Sequence, residues 1–152
     1  MEKEINLRKI NIKYLYNTSN DEIQNLSMIY DFHEIILSDL FEKNIQDKID
    51  TYDDLLFIVC HIPKYDKNLW KYFSNEFKII VWKSFVIIIS DVYSKKIAKL
   101  LQEIQNIEVE KDEKYKLSPY YVVYRFWDVM LDKVFKHMHQ FNKDIMSIEE
   151  EI

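Results

Sequence analysis

The sequence predicts an α+β domain: a mixed β-sheet flanked by helices in an α-β-α arrangement, followed by one long C-terminal helix. Three observations carry that expectation. Residues 55–62, Leu-Leu-Phe-Ile-Val-Cys-His-Ile, are almost continuously apolar, as a strand covered on both faces must be. Residues 77–82 and 85–90 are two more strand-like runs separated only by Lys83 and Ser84, the spacing of a tight hairpin. Finally, Trp127, Leu131, Val134, Met138, Phe141, Ile145, Ile148 and Ile152 recur at alternating spacings of four and three. That is the a/d seam of a helix laid lengthwise on another helix.

The remaining elements follow in order. Residues 5–16 alternate in the manner of a strand. Ser19 with Glu22 has the spacing of a capping box and opens a short helix over 20–28 with Ile23 and Leu26 inward. A second helix is predicted over 33–41, with Ile36, Leu37 and Leu40 as its apolar stripe. Lys48–Tyr52 is a short strand, polar on one face. Ile97, Leu100, Leu101 and Ile104 give 92–107 a helical period, and 108–117 is charged and reads as a linker. Ser118 and Pro119 start the last helix, serine as N-cap and proline at the first helical position. The seam is still running at the final residue with no stop signal, so the helix is expected to continue in a longer polypeptide of which this chain is a fragment. The domain organisation expected is therefore an α/β domain over 1–107, the linker over 108–117 and the beginning of a long helix over 118–152.

Composition narrows function more than fold. The net charge of −5 argues against a nucleic-acid binder, whose footprint is basic. Glycine is absent, which removes phosphate-cradling loops and glycine-dependent nucleophile elbows. Turns must instead use residues such as Asn17, Asn20, Asp66 and Asn75. Cys60 is the sole cysteine and lies in an apolar run, an inert core thiol suited to a reducing compartment. Residues 1–10 lack the apolar core of a secretory signal, and apolar stretches of about six residues fall far short of the roughly 18 that suggest a membrane span. No spacing pairs a nucleophile with a base, so no enzyme is expected. His137 and His139 point about 200° apart on a helix and read as surface residues, while His33 and His61 read as hydrogen-bonded structural residues. Asp128 and Asp132, four apart, share one helix face, so two carboxylates can approach one cation.

Several segments, taken in order, carry a family resemblance. Phe32-His33-Glu34-Ile35-Ile36-Leu37-Ser38-Asp39-Leu40 is similar to the pattern F-x-I/L-H-P-L-x-L-E-D-I/L. Nine residues after Asp39, the run from Lys48 to Val59 resembles P-K-x-E-x-Y-x-D-Y-x-F-I-V. Ser118-Pro119-Tyr120 and Tyr124-Arg125-Phe126-Trp127-Asp128-Val129-Met130-Leu131-Asp132 resemble the stretch that opens a long helix in the same family. That family is the CorA-type magnesium and divalent-cation transporters, and the resemblance is to their N-terminal cytoplasmic domain over about four fifths of the chain. Glu34 and Asp47 stand where the pattern has proline, and Ser38 replaces the acid beside Asp39. The Gly-Met-Asn pore motif and the two transmembrane helices are not in this sequence, so the chain is not expected to conduct ions by itself.

The resemblance implies a sheet between helical layers and a regulatory role. It implies Mg²⁺ held at subunit interfaces, at Asp39 paired with an acid from a helix beyond Ile152, and at a second site using Asp128 with Asp132 beside it. It also implies self-association as a pentamer in the full-length protein, with attachment to the membrane only through C-terminal transmembrane helices and this domain on the cytoplasmic side. Two other readings stand beside it: a zinc-transporting relative of the same fold, and a stand-alone soluble module whose seam binds a partner helix.

Overall fold

Among the residues described by the computed structural model (1–7, 9–66, 68–109 and 117–150), six strands and four helices follow one another. They are β1 (Glu2–Asn6), β2 (Asn11–Tyr16), α1 (Asn20–Tyr30), α2 (Glu34–Phe41), β3 (Lys48–Tyr52), β4 (Leu55–Asp66), β5 (Lys71–Trp82), β6 (Phe85–Ser90), α3 (Lys95–Val109) and α4 (Pro119–Glu150). The strands form one sheet in the order β1-β2-β6-β5-β4-β3. β2 runs parallel to β6 and the other neighbours are antiparallel, so the sheet is mixed.

The period of two along each strand divides the core into two layers. Ile58, Cys60 and Ile62 of β4, Phe77, Ile79 and Val81 of β5, and Val86 and Ile88 of β6 face α3 and α4. Phe57 and Val59, Ile80, and Phe85, Ile87 and Ile89 face α1 and α2. Every residue of β6 is buried, which explains why these strands read as continuous apolar runs rather than alternating ones. From α3, Ile97, Leu100, Leu101 and Ile104 close one layer. From α1 and α2, Ile23, Leu26, Ile36 and Leu40 close the other. The α-β-α expectation holds.

Local chemistry sets the helix starts. Ser19 Oγ accepts from Glu22 N at 3.2 Å while Glu22 Oε2 accepts from Ser19 N at 2.8 Å, a complete capping box. His33 caps α2 by accepting from Ile35 N at 3.3 Å and stacks on Tyr52. Ser118 Oγ accepts from Tyr121 N at 3.1 Å at the start of α4. Without glycine, left-handed backbone positions fall to Asn17, Asp31, Asn44 and Asp53, whose short polar side chains tolerate that region, and to Trp70 between β4 and β5. Asp53 and Asp54 thus form the β3–β4 turn rather than a merely solvated acidic pair.

The structure departs from the sequence reading in four places. Residues 5–16 are not one strand but the hairpin β1–β2, closed by Leu7 N donating to Ile10 O at 2.9 Å; no Gly, Pro or Asn-Gly marks that turn. Asn20 opens α1 behind its Ser19 cap, and Asn75 is a buried member of β5 opposite Ile62, so neither makes a turn. Asp66 does, its Oδ1 accepting from Asn68 N and Leu69 N. β4 and β5 also run well past the predicted runs, because 63–66 and 71–75 pair mainly with each other outside the apolar core. The expected linker falls largely on residues 110–116, outside the described residues, and α3 extends to Val109.

The long helix buries a different stripe from its seam. Val122, Val123, Phe126 and Met130 enter the core, with Phe126 edge-on to Phe77 at 5.3 Å. Beyond Val134 the described seam residues Met138, Phe141, Ile145 and Ile148 are exposed. Among the described residues, no helix covers this distal part of the seam. Its nearest neighbour is the projecting β4–β5 hairpin, where Tyr72 meets His137 edge-on and Pro63, Tyr72, Val134, His137, Met138 and Phe141 line an apolar hollow of about 250 Å³.

Candidate cation site at the end of helix α2

Asp39 lies in the last turn of α2, a helix with no basic residue in that turn. A carboxylate there faces the partial negative charge of the helix C-terminus, so the fold must bring cations from elsewhere. It brings two lysines. Lys48, the first residue of β3, places Nζ 2.6 Å from Asp39 Oδ2 and 2.9 Å from Asp50 Oδ2. Lys78 of β5 donates to Leu40 O at 3.3 Å and to Glu42 O, giving the carbonyls at the helix end a donor. The Asp39 side chain is only 13% exposed and that of Lys48 29%, so water screens the pair less than an open surface pair. Hydrogen bonds first to Asp39 and then to Asp50 push the Lys48 ammonium's pKa upward, and the lysine is held as a cation.

The loop from α2 to β3 is fixed by a buried ionic cluster on the same face of the sheet. Glu76 and Lys78, two apart on β5, are both almost completely buried and 3.2 Å apart. Glu76 Oε2 also accepts from Ile45 N at 2.9 Å and lies 3.4 Å from His61 Nε2, while His61 Nδ1 meets Asp47 Oδ1 at 2.5 Å. Glu76 therefore holds the middle of the loop and Lys78 its beginning. Together they determine where β3 starts, and hence where the Lys48 ammonium lies.

The second candidate pair sits elsewhere. Asp128 and Asp132 are exposed on α4, on the opposite face of the sheet from α2. Asp128 Oδ2 is 3.8 Å from Arg125 Nε, and the same arginine reaches Glu103 of α3 at 3.2 Å. The fold thus does not bring Asp39 together with Asp128 or Asp132 in one chain. Among the described residues, no group of three or more His, Cys, Asp or Glu side chains could hold a metal ion. His137 is half-buried against Tyr72 rather than a free surface residue; burial, then the charges of Lys133 and Lys96, lower its pKa. Burial, with a smaller effect of Asp47, pushes the Cys60 thiol up to about 12, so it is an unreactive core group at neutral pH.

The sequence reading singled out Asp39 but not its cation, nor Asp50, nor the cluster beneath the loop. One signal was available: Glu76 and Lys78 share a face of a strand that runs on into the apolar residues 79–82, and charges so placed are buried only when paired.

Residues 11–152 match the family described as CorA-like Mg²⁺ transporter protein. The chain belongs to that family. A curated relative, the cobalt/magnesium transport protein CorA of Thermotoga maritima, is 24% identical over 144 residues, covering 94% of this chain and 39% of that protein. The chain thus spans about two fifths of the length of that CorA relative. Solved structures share the fold. The full-length CmaX protein superposes with a TM-score of 0.78 at 14% identity, over 94% of this chain and 42% of that one. The soluble domain of CorA from Methanocaldococcus jannaschii gives 0.69 at 11%, over 94% and 55%. The ZntB cytoplasmic domain from Vibrio parahaemolyticus RIMD 2210633 gives 0.70 at 9%, over 90% and 54%. No helix among the described residues is long and apolar enough to cross a membrane.

Proposed function

We propose that this chain is the cytoplasmic, Mg²⁺-sensing regulatory domain of a CorA-like divalent-cation transporter, not competent for transport by itself. Family membership across residues 11–152 gives the transporter context. The observation that carries the sensing role is the convergence of Asp39 and Asp50 on one cation position, marked by the Lys48 ammonium within 3 Å of both. Mg²⁺ is a hard ion that keeps several waters and needs only one or two carboxylates, which suits such a half-shielded oxygen site. In the full-length protein, a pentamer by family resemblance, an acid of a neighbouring subunit completes the site at Asp39, and Asp128 with Asp132 serves a second interface. A bound divalent ion supplies positive charge between facing carboxylates and favours the closed assembly; its loss lets the subunits repel one another.

The test is Mg²⁺ inhibition of uptake by the full-length transporter. Asp39→Ala combined with Asp128→Ala is expected to raise the half-inhibiting Mg²⁺ concentration at least about fivefold, the lower end of ordinary coupling between sites. Unchanged inhibition in the double variant refutes the sensing role. A zinc-transporting relative is a second reading, favoured by the likeness to the ZntB cytoplasmic domain. Selective uptake of Zn²⁺ over Mg²⁺ by the same full-length protein supports that reading instead.

A further inference from the structure

From its middle onward the seam of α4 consists of Leu131, Val134, Met138, Phe141, Ile145 and Ile148, and all but the partly covered Val134 are 40–58% exposed. Their spacing of three, four, three, four, three is the same read in either direction. A second α4 laid antiparallel therefore meets apolar side chains throughout: Leu131 with Ile148, Val134 with Ile145, Met138 with Phe141, and the same pairs again by symmetry. The hollow of about 250 Å³ beside Pro63 and Tyr72 is lined by Val134, Met138 and Phe141 as well, so a side chain of the incoming helix has a place to enter.

Charge divides the same stretch in two. Residues 133–143 hold three lysines, two histidines and no acid, while 144–151 hold four acids and no base. Neither Lys133 nor Lys143 has an acid three or four residues away on its own helix, the spacing at which helical ion pairs form. Among the described residues, no ion pair involves Lys133, Lys136, Lys143, Asp144 or Glu149. Lys133 is half-buried; burial, then the charges of Lys96 on α3 and Lys64 on β4, lower its pKa. Cations thus gather here with no counter-charge from the described residues. Lys133, His137 and Asp144 are four and seven apart, which puts them along one edge of the seam. In the antiparallel register His137 falls opposite Asp144 of the second copy, with Lys133 one turn away. A parallel pairing would set base against base and acid against acid.

We propose that α4 from Leu131 to Ile148 is the contact by which two copies of this chain form an antiparallel, two-fold symmetric dimer. The basic stretch of each helix lies against the acidic end of the other. Residues 131–148 cover about 27 Å of helix, a narrow two-helix contact of the weak, concentration-dependent kind. Charge complementarity fixes its orientation and excludes the parallel alternative. The contact is separate from the sensing role, because Asp39 lies across the sheet from α4.

Sedimentation velocity of the 152-residue chain over a range of concentrations is the test, and the expected result is a monomer–dimer equilibrium that weakens as salt is raised. Asp144→Lys sets a lysine against Lys133 and His137 twice per dimer and should raise the dimer Kd at least about tenfold. Adding Lys133→Glu to Asp144→Lys restores opposite charges and should return Kd to within about threefold of wild type. Phe141→Asp should leave a folded monomer, since that ring is more than half exposed; circular dichroism checks the folding. Spin labels on Gln140→Cys or Glu149→Cys report orientation, with Cys60 buried in the core. The two labels should be much closer together at 140 than at 149. A chain that is monomeric at every concentration, a dimer indifferent to Asp144→Lys and Phe141→Asp, or equal label separations at the two positions overturns the proposal.

Discussion

Glu76→Ala is expected to destabilise the domain by about 3–5 kcal/mol, the cost of removing one partner from a buried ion pair. Glu76 and Lys78 are 4% and 6% exposed, so the substitution leaves an ammonium in a dry layer with only the Leu40 and Glu42 carbonyls as partners. It also strips the Ile45 N–H of its acceptor. Urea unfolding followed by circular dichroism measures the loss directly. Exchanging both charges for apolar residues, Glu76→Leu with Lys78→Met, removes the stranded charge together with its partner and should cost less than the single change. A double variant at least as unstable as the single one shows that the cluster's value lies in its backbone hydrogen bonds rather than in charge pairing.

Phe126→Ala is expected to cost a similar amount, about 3–5 kcal/mol, by leaving a ring-sized cavity. Phe126 is fully buried and packs edge-on against Phe77 and against Trp127, at the centre of the stripe Val122, Val123, Phe126 and Met130 by which α4 enters the core. Phe135→Ala, one helical region further on where the ring is 63% exposed, should change stability by no more than about 0.5 kcal/mol. Thermal or urea midpoints of the two variants make the comparison. Equal losses at 126 and 135 contradict the placement of α4, because they require its distal half to be packed as firmly as its beginning.

What was legible in the sequence follows from how strongly each element depends on burial. β3 and β6 were predicted to the residue, and α1, α2 and α3 to within a few residues at each end, because their apolar spacing and capping groups are local signals. The β1–β2 hairpin was not, since its turn uses no glycine, proline or other conventional marker. The extension of β4 and β5 was missed because its residues are paired on the backbone but largely uncovered, so the pattern carries no hydrophobic signature. The seam of α4 is present as a sequence pattern, yet the residues most deeply buried are Val122, Val123, Phe126 and Met130, and its distal members are exposed among the described residues.

The candidate site was half legible. Asp39 could be selected by resemblance alone, since an acid near a helix end has no periodicity that marks it as functional. Its environment depends on a non-local fact, the path of the loop between α2 and β3. That path is set by Glu76 and Lys78, some thirty-odd residues further along the chain. Once Lys48 is seen to fill the space between Asp39 and Asp50, the interval from Asp39 to Lys48 acquires a physical reason: it is the length needed to return an ammonium to the end of α2.

The proposed role is that of the regulatory domain of a CorA-like transporter. Sequencing the natural gene downstream of the Ile152 codon tests it most directly. The account predicts a continuing helix, then two apolar spans of about 20 residues each with Gly-Met-Asn between them. A stop codon immediately after Ile152 contradicts it, and leaves a soluble protein whose role has to be sought in whatever binds the exposed seam of α4.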